Sequence, residues 1–408
     1  MEKVKRILLI STIYPLPDAR NKGTKVCHFF ARDWVKIGYD VRAVHIQAIY
    51  PRLLYWVAKL NARRIAAKTG AVLYTERLGR CEFYEMDGVS VMRTPVFKLI
   101  PHGRFSPRSI RSAVKAIVGF CQTDGFVPDV VVGHFSNPQL EILSRLKKEF
   151  PGIGTALVMH INADTDVLST VYGRRLPALM KDIDAWGFRC NSGLHYFEKK
   201  IGHVDKTFTC YSGLPAHFIV EENTRDFQEP LSRFLYVGTM IERKYPEKVL
   251  EALETVYPDR DYHLTYIGEG QQIELVKRMV TERGLGACVS MPGRIPREQT
   301  VAEYDKAECM VMISRDEAYG LVYLEAMARG CITIAARNEG FDGIIVDGEN
   351  GFLCEAGNAA ELAQIIRRIN LMSPESRRLI AENAITTARN LTDEKAARMY
   401  IENVEYLT

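Results

Sequence analysis

The chain has no C-x-x-C pair, although it carries nine cysteines, at 27, 81, 121, 190, 210, 288, 309, 331 and 354. An odd, unpatterned set argues against a disulfide framework and fits reduced thiols in a cytosolic protein, packed mostly as small apolar residues. Long apolar runs are missing as well. No uninterrupted stretch approaches the ~18 residues a spanning helix needs, so an integral membrane protein is not expected. The apolar run from Lys3 to Tyr14 is too short for a signal peptide, and Pro15, Asp18 and Arg20 follow it where a small-residue cleavage site would stand. It is better taken as a first buried strand. There is no evident repeat and no low-complexity tract, and no nucleic-acid partner is expected.

What is present is the composition of an ordinary globular chain, 47% hydrophobic and 25% charged over 408 residues. That length is large for one core and suits two domains of about 200 residues each. The net charge of +4 conceals an asymmetry. Residues 1–200 hold 31 Lys+Arg against 17 Asp+Glu, a net +14, whereas the remainder holds 23 against 33, a net −10. A basic half points to an anionic counterpart. Between Arg52 and Lys115, aromatic and apolar residues alternate with cations that include Arg63, Arg64, Lys68, Arg104, Arg108 and Arg111. This suits a surface lying on anionic lipid, although solvated cations on an amphipathic helix give the same pattern.

Short apolar runs alternate with helical patterns throughout. The first series is Ile7–Tyr14, Val41–Ile46, Val89–Thr94, Val130–His134, Ala156–Ile161 and Thr207–Cys210. The second is Phe234–Gly238, His263–Gly268, Val289–Gly293, Met310–Ser314, Ile332–Ala336 and Ile344–Val346. Such alternation predicts α/β domains with parallel sheets. The polar stretch between the series, with Gly213, Pro215 and Pro230, is the expected linker. The expected organisation is therefore a Rossmann-like domain at 1–211, a linker at 212–231, a second Rossmann-like domain at 232–385 and a terminal helix at 386–408, packing back on the first domain.

One segment concentrates chemistry. Residues 314–330 read S-R-D-E-A-Y-G-L-V-Y-L-E-A-M-A-R-G. Glu317 and Glu325 lie eight positions apart around a Tyr-Gly break, Glu317 in a loop after a strand and Glu325 inside the following helix. In open parallel sheets ligands bind where strand C-ends meet helix N-ends, and a helix start offers N–H groups to a phosphate. Glu in an early helical turn is also favoured by the helix dipole alone, so spacing by itself leaves function and packing open.

Further segments fall in order around it: Tyr236-Val237-Gly238 leading to Lys244, Tyr266-Ile267-Gly268-Glu269-Gly270, Met291-Pro292-Gly293-Arg294, and Asp347-Gly348-Glu349-Asn350-Gly351. Together with E-x7-E, this set resembles the retaining family-4 glycosyltransferases. The resemblance is densest from Phe234 to Leu353. It implies a GT-B fold, two Rossmann-like domains with parallel sheets facing across a donor/acceptor cleft. It also implies a nucleotide-sugar donor in the C-terminal domain, a glycan or lipid-linked acceptor, and no bound metal or other cofactor. On the same basis Glu325 binds the ribose, Glu317 lies near the transferred sugar, and the amides of Tyr319, Gly320, Leu321 and Val322 receive the diphosphate. Gly238, Gly268, Gly293 and Arg294 line the donor pocket.

Cleaving the sugar–diphosphate bond places new negative charge on the leaving oxygens, which a fixed cation stabilises. Lys244 stands at the family's Lys position, but Thr239 occupies the place usually held by Arg. Arg243 supplies the missing charge or is a solvated helix-start residue. In the first half Gly23 matches the family's glycine loop, flanked by Arg20 and Lys22. His160 matches a His that faces the donor sugar, and His134 ends the preceding strand. Asp164-Thr165-Asp166 repeats a metal-binding D-x-D pattern but is expected to be a loop or helix cap. The expected activity is retaining transfer of a hexosyl-type group in surface polysaccharide or glycoconjugate synthesis, by a cytoplasmic protein peripheral on the inner face of a membrane. A UDP-sugar is the first expectation for the donor and a GDP-sugar the next. A nucleotide-sugar epimerase and a non-catalytic sugar-nucleotide binding subunit are the alternatives.

Overall fold

The structure, a computed structural model, describes residues 5–17, 25–56, 77–101 and 103–408. The loop with Arg20, Lys22 and Gly23, and the cations Arg63, Arg64 and Lys68, lie outside the described residues. The chain divides into two compact units. One gathers residues 1–189, 193–210 and 396–408, the other residues 190–192 and 211–395.

Among the described residues the first unit is built on eight strands: β1 (Arg6–Ser11), β2 (Asp40–Ile49), β3 (Glu82–Met86), β4 (Val89–Phe97), β5 (Val130–His134), β6 (Gly154–Met159), β7 (Ala185–Phe188) and β8 (Thr207–Thr209). They lie in the order β3-β4-β2-β1-β5-β6-β7-β8. All pairs are parallel except the β3–β4 hairpin at the edge. Central strands of such a sheet are covered on both faces, which explains their unbroken apolar runs. Alternate residues of β1 show it: Leu8 and Ile10 enter one core, Ile7 and Leu9 the other. The second core also takes Trp34 from the helix Val26–Lys36, and Tyr400, Ile401 and Val404 from the terminal helix Asp393–Leu407. Trp34 Nε1 donates to Ala397 O at 2.8 Å, tying the two helices together. Burying each large apolar side chain contributes roughly 1.5–3 kcal/mol.

The second unit has six strands, all parallel: β9 (Arg233–Val237), β10 (His263–Ile267), β11 (Val289–Gly293), β12 (Cys309–Val311), β13 (Ile332–Ala336) and β14 (Phe352–Cys354), ordered β11-β10-β9-β12-β13-β14. Leu214, Phe227 and Leu231, from the stretch expected as a linker, are buried in its core. Two details differ from expectation. Ile344–Val346 is not a strand; Ile344 and Ile345 are buried from a turn, and the sixth strand is Phe352–Cys354. The hairpin strand β3 and the short β7 were not expected either. The first is largely exposed and the second only four residues long, so neither shows the long apolar run of a central strand.

Each sheet reverses its winding at one point, between β1 and β5 in the first unit and between β9 and β12 in the second. These switch points are where an open α/β sheet leaves a crevice beyond its strand C-ends.

Candidate functional site

At the β9/β12 switch point the chain brings together residues 73 positions apart. Past β9, Gly238 leads through Thr239 to a short 3-10 turn, Glu242–Lys244. Past β12, Ser314 leads into the loop that carries Glu317. Lys244 Nζ lies 2.7 Å from Glu317 Oε2, with both side chains only 12–13% exposed. Arg243 Nη1 is 3.8 Å from the same oxygen and donates at 3.1 Å to the carbonyls of both Arg315 and Asp316. Ser314 Oγ donates to Glu317 Oε2 at 3.3 Å. Arg243 is thus fastened to the loop of Glu317. Thr239, at the expected cation position, is exposed.

The loop closes on the helix Leu321–Ala328, whose N-terminus starts at Gly320 with φ 81 and has no side-chain cap. A Cβ at Gly320 would run into the Tyr323 ring, so glycine is required both by the left-handed backbone and by space. Tyr323, fully buried, donates from its hydroxyl to Met312 O at 2.7 Å and fixes the first turn on β12. The backbone N–H of Glu317 donates to Glu339 Oε2 at 2.9 Å. Burial pushes the Glu339 carboxyl up, against the lowering effect of that N–H.

Glu325 sits further along the helix, 13% exposed. Its two oxygens meet protein donors: Arg297 Nη2 at 2.8 Å on Oε1 and Tyr304 Oη at 3.2 Å on Oε2. Burial raises its pKa and these two donors lower it. Each carboxylate oxygen keeps a second lone-pair direction for a ligand hydroxyl. The Arg297 guanidinium lies 4.4 Å over the Phe218 ring. Gly238, Gly268 and Gly293 stand in a row at the ends of three neighbouring strands, linked by Gly238 N to Ile267 O at 2.9 Å and Gly268 N to Gly293 O at 3.0 Å. A Cβ at Gly268 would overlap the Gly238 carbonyl. Arg294 follows, exposed.

In the first unit His134 ends β5 opposite Ser11 of β1, and His160 follows β6. His134 Nδ1 and His160 Nε2 are 2.9 Å apart. Phe135 stacks on the His160 ring at 4.0 Å. Burial drives His134 down to about 3 and His160 well below its ordinary value, so both rings are neutral. Asp164 accepts from the backbone N–H of His160 at 2.8 Å and of Ile161 at 3.3 Å, and burial pushes it up to about 6. Asp166 instead accepts from Tyr196 Oη at 2.9 Å. Only Asp164 caps a local turn, and the two carboxylates of the D-x-D pattern face different partners.

The structure therefore joins Lys244, Arg243 and Glu317 in one cluster, places Gly320, Leu321, Val322 and Glu325 on the helix beside it, and aligns the three glycines at neighbouring strand ends. Arg297, Tyr304 and Glu339 were not anticipated. Their sequence surroundings carry no motif, and only folding shows that Arg297 and Tyr304 meet the Glu325 carboxylate and that Glu339 accepts from the Glu317 backbone.

A cation pair at a strand end, next to the open start of a helix, is chemically suited to an anionic group. Residues 221–387, which span this whole cluster, match the family described as glycosyl transferases group 1. The matched stretch lies within the second unit. An uncharacterized glycosyltransferase from Methanocaldococcus jannaschii is 27% identical over 192 residues, covering 47% of this chain and 51% of its own. D-inositol 3-phosphate glycosyltransferase from Corynebacterium urealyticum is 28% identical over 175 residues, covering 41% of each. The chain thus spans about half or less of the length of these curated relatives. The solved structure of HepE from Anabaena in complex with UDP, 14% identical, superposes with a TM-score of 0.66 over 99% of this chain and 100% of its own. That likeness extends over both units and identifies the fold as GT-B.

Proposed function

We propose that the protein is a retaining glycosyltransferase that moves a hexosyl-type group from a nucleotide-diphosphate sugar to a hydroxyl of a glycan or lipid-linked acceptor. The observation that carries the proposal is the Lys244–Glu317 ion pair, with Arg243 fastened beside it, at a sheet switch point and next to an open helix start. The donor diphosphate is received by the amides of Tyr319 to Val322 and by the two cations. Charge on the diphosphate grows as the sugar–oxygen bond breaks, so cations held in advance stabilise the transition state more than the bound donor. Arg243 takes the part of the cation missing at Thr239. Glu317 holds both cations in place and lies toward the transferred sugar, while Glu325, oriented by Arg297 and Tyr304, accepts from the ribose hydroxyls. Gly238, Gly268, Gly293 and Arg294 shape the pocket for the base, and His160 and Gly23 are assigned to the donor on the family resemblance.

Retention follows a same-face route in which the leaving diphosphate helps to deprotonate the acceptor hydroxyl. UDP is the preferred carrier, supported by the UDP bound in the HepE structure. No helix among the described residues is long and apolar enough to cross a membrane; the basic first half, net +14 over residues 1–200, favours a peripheral position on anionic lipid. No metal ion is required by the residues named. The test is release of nucleoside diphosphate from a panel of UDP- and GDP-sugars. Slow release that disappears in Glu317→Ala supports transfer. Binding of a donor without turnover by any acceptor would instead make the protein a sugar-nucleotide binding subunit.

A further inference from the structure

The histidine pair of the first unit has a third member. Tyr400, from the terminal helix Asp393–Leu407, places its hydroxyl 3.2 Å from His134 Nε2. Its ring packs edge-on to His134 and Phe30 and stacks with Phe208. Tyr400 is 1% exposed and His134 is fully buried. A chain of three groups results: Tyr400 Oη, the His134 ring, and His160 Nε2.

Neutral imidazole carries one proton, so the direction of this chain is a choice between two tautomer sets. If His160 Nε2–H donated to His134 Nδ1, then His134 would hold its proton on Nε2 and donate it to Tyr400. The Tyr400 O–H would then be left without an acceptor, because among the described residues its hydroxyl has no polar partner besides His134. A buried donor without a partner is the costly arrangement. In the reverse direction the Tyr400 hydroxyl and both nitrogens of His134 are satisfied, and the one N–H left over falls on His160, the partly exposed ring.

We propose that Tyr400 fixes the tautomer of His160 through His134. Tyr400 Oη–H donates to His134 Nε2, His134 Nδ1–H donates to His160 Nε2, and His160 presents Nδ1–H as a hydrogen-bond donor to a sugar oxygen. Tyr400 and His134 are positioning residues. The proposal deepens the assignment of His160 to the donor sugar and rests on it only for the identity of the ligand. His160 is partly exposed, and Nδ1 is the ring nitrogen left over once Nε2 faces His134. It also follows that His160 does not act as a general base, because its bare nitrogen is turned inward.

The same cluster has metal-ligand chemistry within reach. Cys27 Sγ and one nitrogen of each histidine lie within 4.8 Å of one another. Hydrogen bonding accounts for these atoms better. The histidine nitrogens already serve each other and Tyr400, Ser11 Oγ donates to Cys27 Sγ at 3.4 Å, burial keeps the Cys27 thiol protonated up to about 12, and the nearby positive charge of Arg189 opposes a further cation.

The test is nitrogen-15 NMR of the histidine rings in the full chain near neutral pH. His160 is expected to show a protonated Nδ1 and a bare Nε2, and His134 a protonated Nδ1. In Tyr400→Phe the His160 nitrogens are expected to move toward averaged values. The donor kcat should fall about 10-fold with little change in KM, the scale of a lost orienting partner. His134→Asn, which keeps a donor near the Nδ1 position, should preserve the His160 tautomer, whereas His134→Leu should not. A His160 proton on Nε2 in the wild-type chain overturns the proposal, and this spectrum decides even if a variant fails to fold. Stoichiometric zinc that raises the melting temperature and shifts both rings overturns it in favour of a metal site. If the tautomer is as stated but His160→Ala turns over normally, the sugar-binding role fails while the tautomer assignment stands.

Discussion

The two clusters at the sheet switch points solve opposite problems. In the second unit, the cost of partly burying Lys244 and Glu317 is met by pairing them at 2.7 Å, with Arg243 anchored beside them to backbone carbonyls. In the first unit, burial removes charge altogether, and His134 and His160 are held by hydrogen bonds between neutral rings. Under the proposed function the difference has a chemical reason. A diphosphate whose charge grows during reaction calls for fixed cations, whereas a neutral sugar is located by directional donors.

The comparison breaks most sharply at Lys244. Lys244→Ala is expected to lower kcat by ~10² to 10³, the range found when one preorganised charge-stabilising donor is removed, measured as nucleoside diphosphate release. A loss under three-fold would mean that the cations are structural. Acid comes next. The native rings of His134, His45 and His160 resist protonation, with His134 and His45 down to about 3, while unfolded histidine takes a proton below about 6.5. The unfolded state therefore binds more protons between those values. Stability is fully present above pH ~6.5 and is lost as pH falls toward about 3, by up to ~1.4 kcal/mol per pH unit for each group. Urea unfolding at several pH values should show this slope, and His134→Asn should flatten it.

Gly320→Ala should cost about 1–3 kcal/mol through its φ of 81 and its overlap with Tyr323, seen as a lower urea midpoint, with donor binding weakened in the same variant. The smallest effect is expected at Arg297. Arg297→Ala removes one of two protein donors to Glu325 and should weaken nucleotide binding by roughly 3- to 10-fold without affecting kcat at saturation, since Arg297 is itself exposed and Tyr304 still holds the carboxylate. A calorimetric titration with UDP would show it.

The sheets were legible where burial on both faces wrote itself into the sequence. Val130–His134, Val289–Gly293 and Ile332–Ala336 agree with expectation to the residue. The edge strand Glu82–Met86 was missed because its residues are mostly exposed, although the Asp87-Gly88 turn, with both φ positive, was a hairpin signal already present. Ile344–Val346 misled because apolar residues in a buried turn look like those of a strand. At the candidate site, Glu317 and Lys244 could be singled out because a motif marks them. Their contact could not, since the two residues are 73 positions apart and meet only because β9 and β12 are neighbours. Tyr400 was out of reach altogether, 266 positions from His134, since no local pattern distinguishes it from any other core tyrosine.

The most direct test of the proposed donor site is the melting temperature with and without UDP in the wild-type chain and in Lys244→Ala. A ligand that binds only the native state raises the midpoint, by an amount set by its concentration over Kd. The account predicts a clear rise with UDP for the wild type and little or none for Lys244→Ala. An equal rise in both proteins would contradict it.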